Sequence, residues 1–116
     1  MRMWKIPTNL MCRKHLLGEH VEMHMLVGSH QKNISLHGYI NNGLLDTNYI
    51  FQRHEELVEE MCKRGYNHQS PVDKDTCTSI KETYKECAPL INTDVNEKEL
   101  YRRCADCRER IDNESK

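Results

Sequence analysis

The stretch His15 to Glu22, HLLGEHVE, places two carboxylates and two imidazoles in what otherwise reads as a core helix. Spaced at i, i+4 and i+7, His15, Glu19 and Glu22 share one helix face, while Leu10, Leu17, Val21 and Met25 form the neighbouring apolar stripe. A carboxylate at such a boundary is partly desolvated, which raises its affinity for a proton and suits it to general acid/base work. The same spacing also fits two solvated glutamates on a plain amphipathic helix, so the pattern alone leaves both readings open.

Six cysteines offer a second chemistry. Cys77 and Cys87 fall on one predicted stripe and Cys104 and Cys107 on another, and four thiolates are the ligand count of a structural zinc site. Helical rise separates Cys77 from Cys87 by about 15 Å. At most three, Cys77 with Cys104 and Cys107, could therefore share an ion, with a histidine or water as fourth ligand. A Cys77 to Cys107 disulfide is the other alternative. The preferred reading is reduced thiols filling small core gaps, with no metal or other cofactor, and Cys12 and Cys62 read as core.

The elements that must position these groups read as four helices and one long loop. The first helix starts after Thr8 or Asn9 and runs to about Val27, with Gly28 closing it. Residues 28–46 contain three glycines, an Asn42-Gly43 turn signal and no sustained period, which predicts a loop with a short turn of structure, and a loop that long in a small domain is usually functional. A second helix starts near Asp46 or Thr47, buries Ile50, Leu57, Val58 and Met61, and ends at Gly65. Ser70 caps a third, with Pro71 at its first position and a Cys77, Ile80, Tyr84, Cys87 stripe. After a break at Pro89 a fourth runs from about Asp94 with Leu100, Cys104, Cys107 and Ile111, so the last two pair as an antiparallel hairpin. The expected fold is an all-α, single-domain helical bundle with one long loop and a C-terminal helical hairpin.

With 116 residues, 37% hydrophobic and 30% charged, the chain supports one domain and excludes a large multidomain enzyme. No apolar run reaches the ~18 residues of a membrane span, and Met1 to Leu10 lacks the apolar core of a signal peptide, so a soluble, cytoplasmic protein is expected. The net charge of −1 gives no global basic footprint. Residues 1–65, however, hold Arg2, Lys5, Arg13, Lys14, Lys32, Arg53, Lys63 and Arg64, and four of their seven acids gather at Glu55 to Glu60. A local surface for a polyanion therefore remains open.

HLLGEHVE, the later run Lys63-Arg64-Gly65-Tyr66-Asn67 at a helix end, and the start Met1-Arg2 together resemble the phage-type pyrimidine dimer DNA glycosylases of the endonuclease V type. The resemblance covers residues 1 to about 70 and leaves 71–116 as a divergent helical hairpin. It implies a small all-helical base-excision enzyme, of phage or bacterial type and monomeric, whose partner is double-stranded DNA with damaged bases. The resemblance implies that the α-amine of residue 1 attacks the sugar C1′ and forms an imine. That residue is expected to be Met1, since a methionine before bulky Arg2 is normally retained, and an α-amine titrating near ~7.7 to 8 is partly neutral at pH 7.

Glu22 matches the family's essential glutamate, which would stabilise positive charge at C1′ and then remove a C2′ proton. Arg2 matches an arginine that would bind the phosphate beside the lesion and depress the amine's pKa. Glu19 and His15 match supporting positions. The nearest polar substitutes for the arginines that relatives place beside the glutamate, here Val21 and Met25, are His20 and His24. Arg13, Lys14, Lys32, Lys63 and Arg64 are the candidate phosphate contacts. Two other functions remain: a catalytically inactive DNA- or protein-binding relative, or a small cysteine-based metal-binding module.

Overall fold

The computed structural model describes residues 2–67, 70–87 and 90–114. Six α-helices and one 3-10 turn make up its regular structure, and no strand occurs among the described residues. No described helix is long and apolar enough to cross a membrane.

The first helix starts later and ends later than the sequence predicts. Thr8–Leu10 form the 3-10 turn, the chain extends at Met11, and α1 is Arg13–Gln31. Its N-cap is Cys12, whose sulfur accepts the His15 amide. The extended Met11 turns that side chain fully into the core, which a helix begun at Thr8 would not do. Gly28 does not close α1. Asn33 does so at φ 60, with the Ile34 amide bonded to Ser29 and the Asn33 amide to His30, the arrangement that caps a helix through one left-handed residue.

The same device recurs at Gly43 (φ 72), which ends the short α2, His37–Asn41, inside the predicted loop. It recurs again at Gly65 (φ 80), after α3, Ile50–Lys63. Gly43 also runs close to the later chain, since a Cβ there would stand 3.2 Å from the Leu90 carbonyl oxygen. The third predicted helix becomes α4, Lys74–Thr83, capped by Asp73 and not by Ser70. Pro89 lies outside the described residues. Asn92 caps α5, Thr93–Arg103. The single predicted last helix breaks where Cys104 adopts an extended backbone (φ −127, ψ 110), and α6, Ala105–Glu114, follows. The C-terminal hairpin is therefore α5 with α6, while α4 packs on α1 and α3.

The inner face of α1 carries Leu16, Met23, Leu26 and Val27, and also Glu19 and His20. Val21 and Met25, expected in the apolar stripe, are instead 53% and 51% exposed. The helix is rotated relative to that expectation because its polar residues find internal partners. Arg53 of α3 donates from Nη2 to Glu19 Oε1 at 3.0 Å and from Nε to Glu19 Oε2. It also donates to the Ile6 carbonyl at 2.8 Å and approaches Met11 Sδ at 3.4 Å. Both residues are 1% exposed. Desolvation pushes the Glu19 carboxyl up from its ordinary range, opposed by Arg53 and by the Trp4 and Lys5 backbone amides, which also address it.

Removing one partner of such a pair leaves a buried, uncompensated charge. Arg53→Met or Glu19→Leu alone should lower unfolding stability by about 3–5 kcal/mol, read as a lower urea midpoint. The double variant should recover more than half of that loss, and simple additivity of the two singles would refute the coupling.

Candidate active site

Residues 2–6 form no regular element, with Met3, Trp4 and Ile6 buried and the Met3 amide bonded to Leu44 O at 2.7 Å. One turn beyond Glu19, the half-buried Glu22 reaches the chain start: its Oε2 accepts the Arg2 backbone N–H at 3.1 Å. That amide is the one joining residue 2 to residue 1, so a carboxylate stands one residue from the expected nucleophile. Met1 itself lies outside the described residues.

The Arg2 side chain turns back over its own segment. Its guanidinium carbon is 4.0 Å from the Trp4 ring centre, and Nη2 donates to Asn96 Oδ1 at 2.6 Å. Asn96 of α5 is 3% exposed and donates in turn to the Trp4 carbonyl at 2.8 Å. Arg103, also on α5, lies over the same indole at 5.0 Å. Burial and the Arg103 charge lower the proton affinity of Arg2, with Glu99 and Glu22 opposing them. Arg2 Nε is buried and has no acceptor among the described residues.

Of the other predicted residues, His15 turns away from Glu22. Its Nδ1 lies 3.2 Å from Cys12 Sγ and 3.6 Å from Cys107 Sγ, and its ring meets Trp4 edge-on at 5.9 Å. Glu19 is held by Arg53. His20 sits with His24 and His54, ring centres 4.8 and 4.9 Å away. Arg13, Lys14 and Lys32 are exposed, Arg13 over the Tyr66 ring at 5.1 Å. Lys63 is exposed beside Glu59 at 3.7 Å. Arg64 is committed to the fold, donating to Glu60, the Thr8 carbonyl and the Met11 carbonyl at 2.8, 3.1 and 2.7 Å. The structure thus unites Arg2 with Glu22, and separates His15, Glu19 and His20 from them.

Two groups have metal-ligating atoms within 4.8 Å of one another: Cys12, His15, Cys104 and Cys107, and His20, His24 and His54. The set of Cys77 with Cys104 and Cys107 does not assemble. Cys77 is buried by a different cavity, near Ile50, Phe51 and Lys74, and burial pushes its thiol up to about 11. Its disulfide with Cys107 is absent, as both thiols are free. Asn96 and Arg103 lie in the divergent part of the chain and carry no motif that could have marked them.

The model of the pyrimidine dimer DNA glycosylase family matches residues 1–74. The chain belongs to this family. Searches of curated proteins and of solved structures each return no match. The family indicates a DNA glycosylase of pyrimidine-dimer repair. Its matched segment carries Arg2 and Glu22 and stops at the start of α4, so α5, which holds Arg2 and Trp4 in place, lies beyond it.

Two basic residues should separate cleanly in this glycosylase. Arg64→Gln removes bonds to two carbonyls and should cost roughly 1–3 kcal/mol of stability. Lys14→Glu should leave the urea midpoint nearly unchanged but weaken DNA binding, with the salt slope smaller by about one contact. Equal binding by Lys14→Glu and its parent would remove the start of α1 from the DNA surface.

Proposed function

We propose that this glycosylase also carries the AP lyase step on pyrimidine-dimer DNA, with the Met1 α-amine as nucleophile and Glu22 as the charged group that serves both stages. The observation that carries the reading is the 3.1 Å bond from the Arg2 amide to Glu22, which fixes a carboxylate beside the residue that bears the amine.

The neutral amine attacks C1′ as the bond from C1′ to the base nitrogen breaks, the base leaving with that electron pair. Ring opening gives an imine between the amine and C1′, positive when protonated. Glu22 stabilises the developing cation, then takes the C2′ proton as the C3′–O bond breaks and the phosphate leaves. Hydrolysis of the imine restores the amine. Arg2, held against Trp4 and Asn96, sets its positive charge beside the phosphate next to the lesion. The exposed Arg13, Lys14 and Lys32 hold the flanking backbone, since Val21 and Met25 present apolar surface where relatives carry arginine beside the glutamate.

Incubation with abasic-site DNA and borohydride should give a covalent adduct that maps to residue 1, and acetylation of the α-amine should abolish it. An adduct on an internal lysine would overturn the nucleophile. Glu22→Gln keeps an acceptor for the Arg2 amide but removes charge and base. Lesion-DNA affinity should stay within a few-fold, and strand cleavage should fall by roughly two or more orders of magnitude. Cleavage at the parent rate would dismiss Glu22, and the inactive-relative reading would gain if no adduct formed anywhere.

A further inference from the structure

The sulfurs of Cys12, Cys104 and Cys107 and the imidazole of His15 converge from opposite ends of the chain, 92 residues apart for Cys12 and Cys104. Cys12-x-x-His15 opens α1, and Cys104-x-x-Cys107 opens α6. Both use the same local geometry: the amide of the last residue donates to the sulfur of the first, His15 N to Cys12 Sγ and Cys107 N to Cys104 Sγ, each at 3.5 Å. The third sulfur, Cys107 Sγ, accepts the Cys12 amide at 3.3 Å. Every sulfur of the group therefore faces a backbone donor, the arrangement that stabilises thiolates around a cation.

The spacings decide what the group can hold. Zinc bonds of ~2.3 Å to sulfur and ~2.0–2.1 Å to nitrogen, at tetrahedral angles, imply edges of ~3.8 Å between two sulfurs and ~3.6 Å between sulfur and nitrogen. Cys12 Sγ and Cys104 Sγ are 3.8 Å apart, and His15 Nδ1 is 3.2 and 3.6 Å from Cys12 Sγ and Cys107 Sγ. A disulfide would need ~2.05 Å. Three reduced thiols packed for volume alone would have no reason to gather a ring nitrogen among them.

We infer that Cys12, His15, Cys104 and Cys107 form a structural zinc site that clamps the start of α1 to the α5–α6 hairpin. Three sulfurs and one nitrogen complete a tetrahedral shell with no open position, which makes the ion structural and not catalytic. Binding releases three protons, one from each thiol, as Zn²⁺ takes three thiolates and a neutral imidazole. The site lies behind the active-site segment: His15 packs edge-on against Trp4, whose carbonyl and ring are held by Asn96 and Arg103 of α5. Zinc thereby fixes the hairpin that in turn holds residues 2–4 against Glu22.

The test needs no DNA, so its failure is distinct from failure of the glycosylase reading. Full-length protein purified under reducing conditions should contain one zinc per chain by elemental analysis. Cobalt added to the chelator-stripped protein should give the visible bands of a tetrahedral thiolate site. In the zinc-loaded protein, iodoacetamide should modify exposed Cys62 and spare Cys12, Cys104 and Cys107 until a chelator is added. Cys104→Ser should lose the stoichiometric metal, Cys77→Ser should keep it, and His15→Cys should retain it by restoring a fourth soft ligand. A folded wild-type chain without stoichiometric zinc and without tetrahedral cobalt bands would overturn the proposal. So would zinc lost on Cys77→Ser, or a Cys12 to Cys104 disulfide in the reduced preparation.

Discussion

Neither Glu19 nor Arg53 has access to water, and a lone charge in such a place costs several kcal/mol, so each requires the other. Their meeting sets the crossing of α1 and α3, which pack against each other. It also uses the remaining donors and acceptors to route the chain start. Arg53 holds the Ile6 carbonyl and approaches Met11, while the Trp4 and Lys5 amides address Glu19. A hydrophobic pair of the same volume could pack α1 on α3, but it would offer nothing to four backbone and side-chain groups of residues 4–11. The pair therefore specifies a path as well as a contact, and Glu22, one turn further on, meets the amide of Arg2 because of that path.

The chain start is held from a second side by parts remote in sequence. Leu44, from the segment after α2, accepts the Met3 amide, and Lys5 takes a left-handed backbone (φ 54) while its ammonium bonds Asp46 at 2.9 Å. A lysine in that region is uncommon and strained. It persists because the residues on either side, Trp4 and Ile6, are both buried and cannot be moved apart without exposing one of them. Asn96 and Arg103 then close over Trp4 from α5. A terminal segment would ordinarily fray. Here these contacts order residues 2–6, so chemistry proposed beside Glu22 would start from a segment already fixed and would carry less of an entropic cost.

The sequence made the all-α class and the Gly65 stop legible because each rests on local spacing, and the meeting of Arg2 and Glu22 was reached through the family resemblance and not through spacing. The phase of α1 was not legible, since Glu19 and His20 occupy its inner face and Val21 and Met25 its outer one. Hydrophobic periodicity assumes that polar residues face water, and two buried polar groups with distant partners reverse it. The meeting of Cys12 and His15 with Cys104 and Cys107 was hidden for a related reason. Cys104-x-x-Cys107 has its match in a Cys-x-x-His pair 92 residues earlier, and the break at Cys104 that brings them together has no glycine or proline to announce it. Asn33 is a similar case, a helix stop of the correct kind in the shadow of a more obvious Gly28.

Charge accounting bears on how such a protein can find damage. Of the eight basic residues in the first 65, Arg53 and Arg64 serve the interior, Lys5 is bound to Asp46, Lys63 lies near Glu59, and Arg2 is folded over Trp4. That leaves Arg13, Lys14 and Lys32 exposed in this half, with nine further Lys and Arg beyond residue 65, in a chain of net charge −1. With counterion release worth about 0.9 of a unit of salt slope per phosphate, contacts from those three alone would give weak non-specific binding. Flipping a nucleotide from intact duplex costs a few kcal/mol, and least where pairing is already damaged. Were DNA contact confined to the first half, that cost would be met only where the lesion has already weakened stacking, and the few free cations there would favour damaged over intact DNA; the basic residues of α4 to α6 decide whether that limit applies.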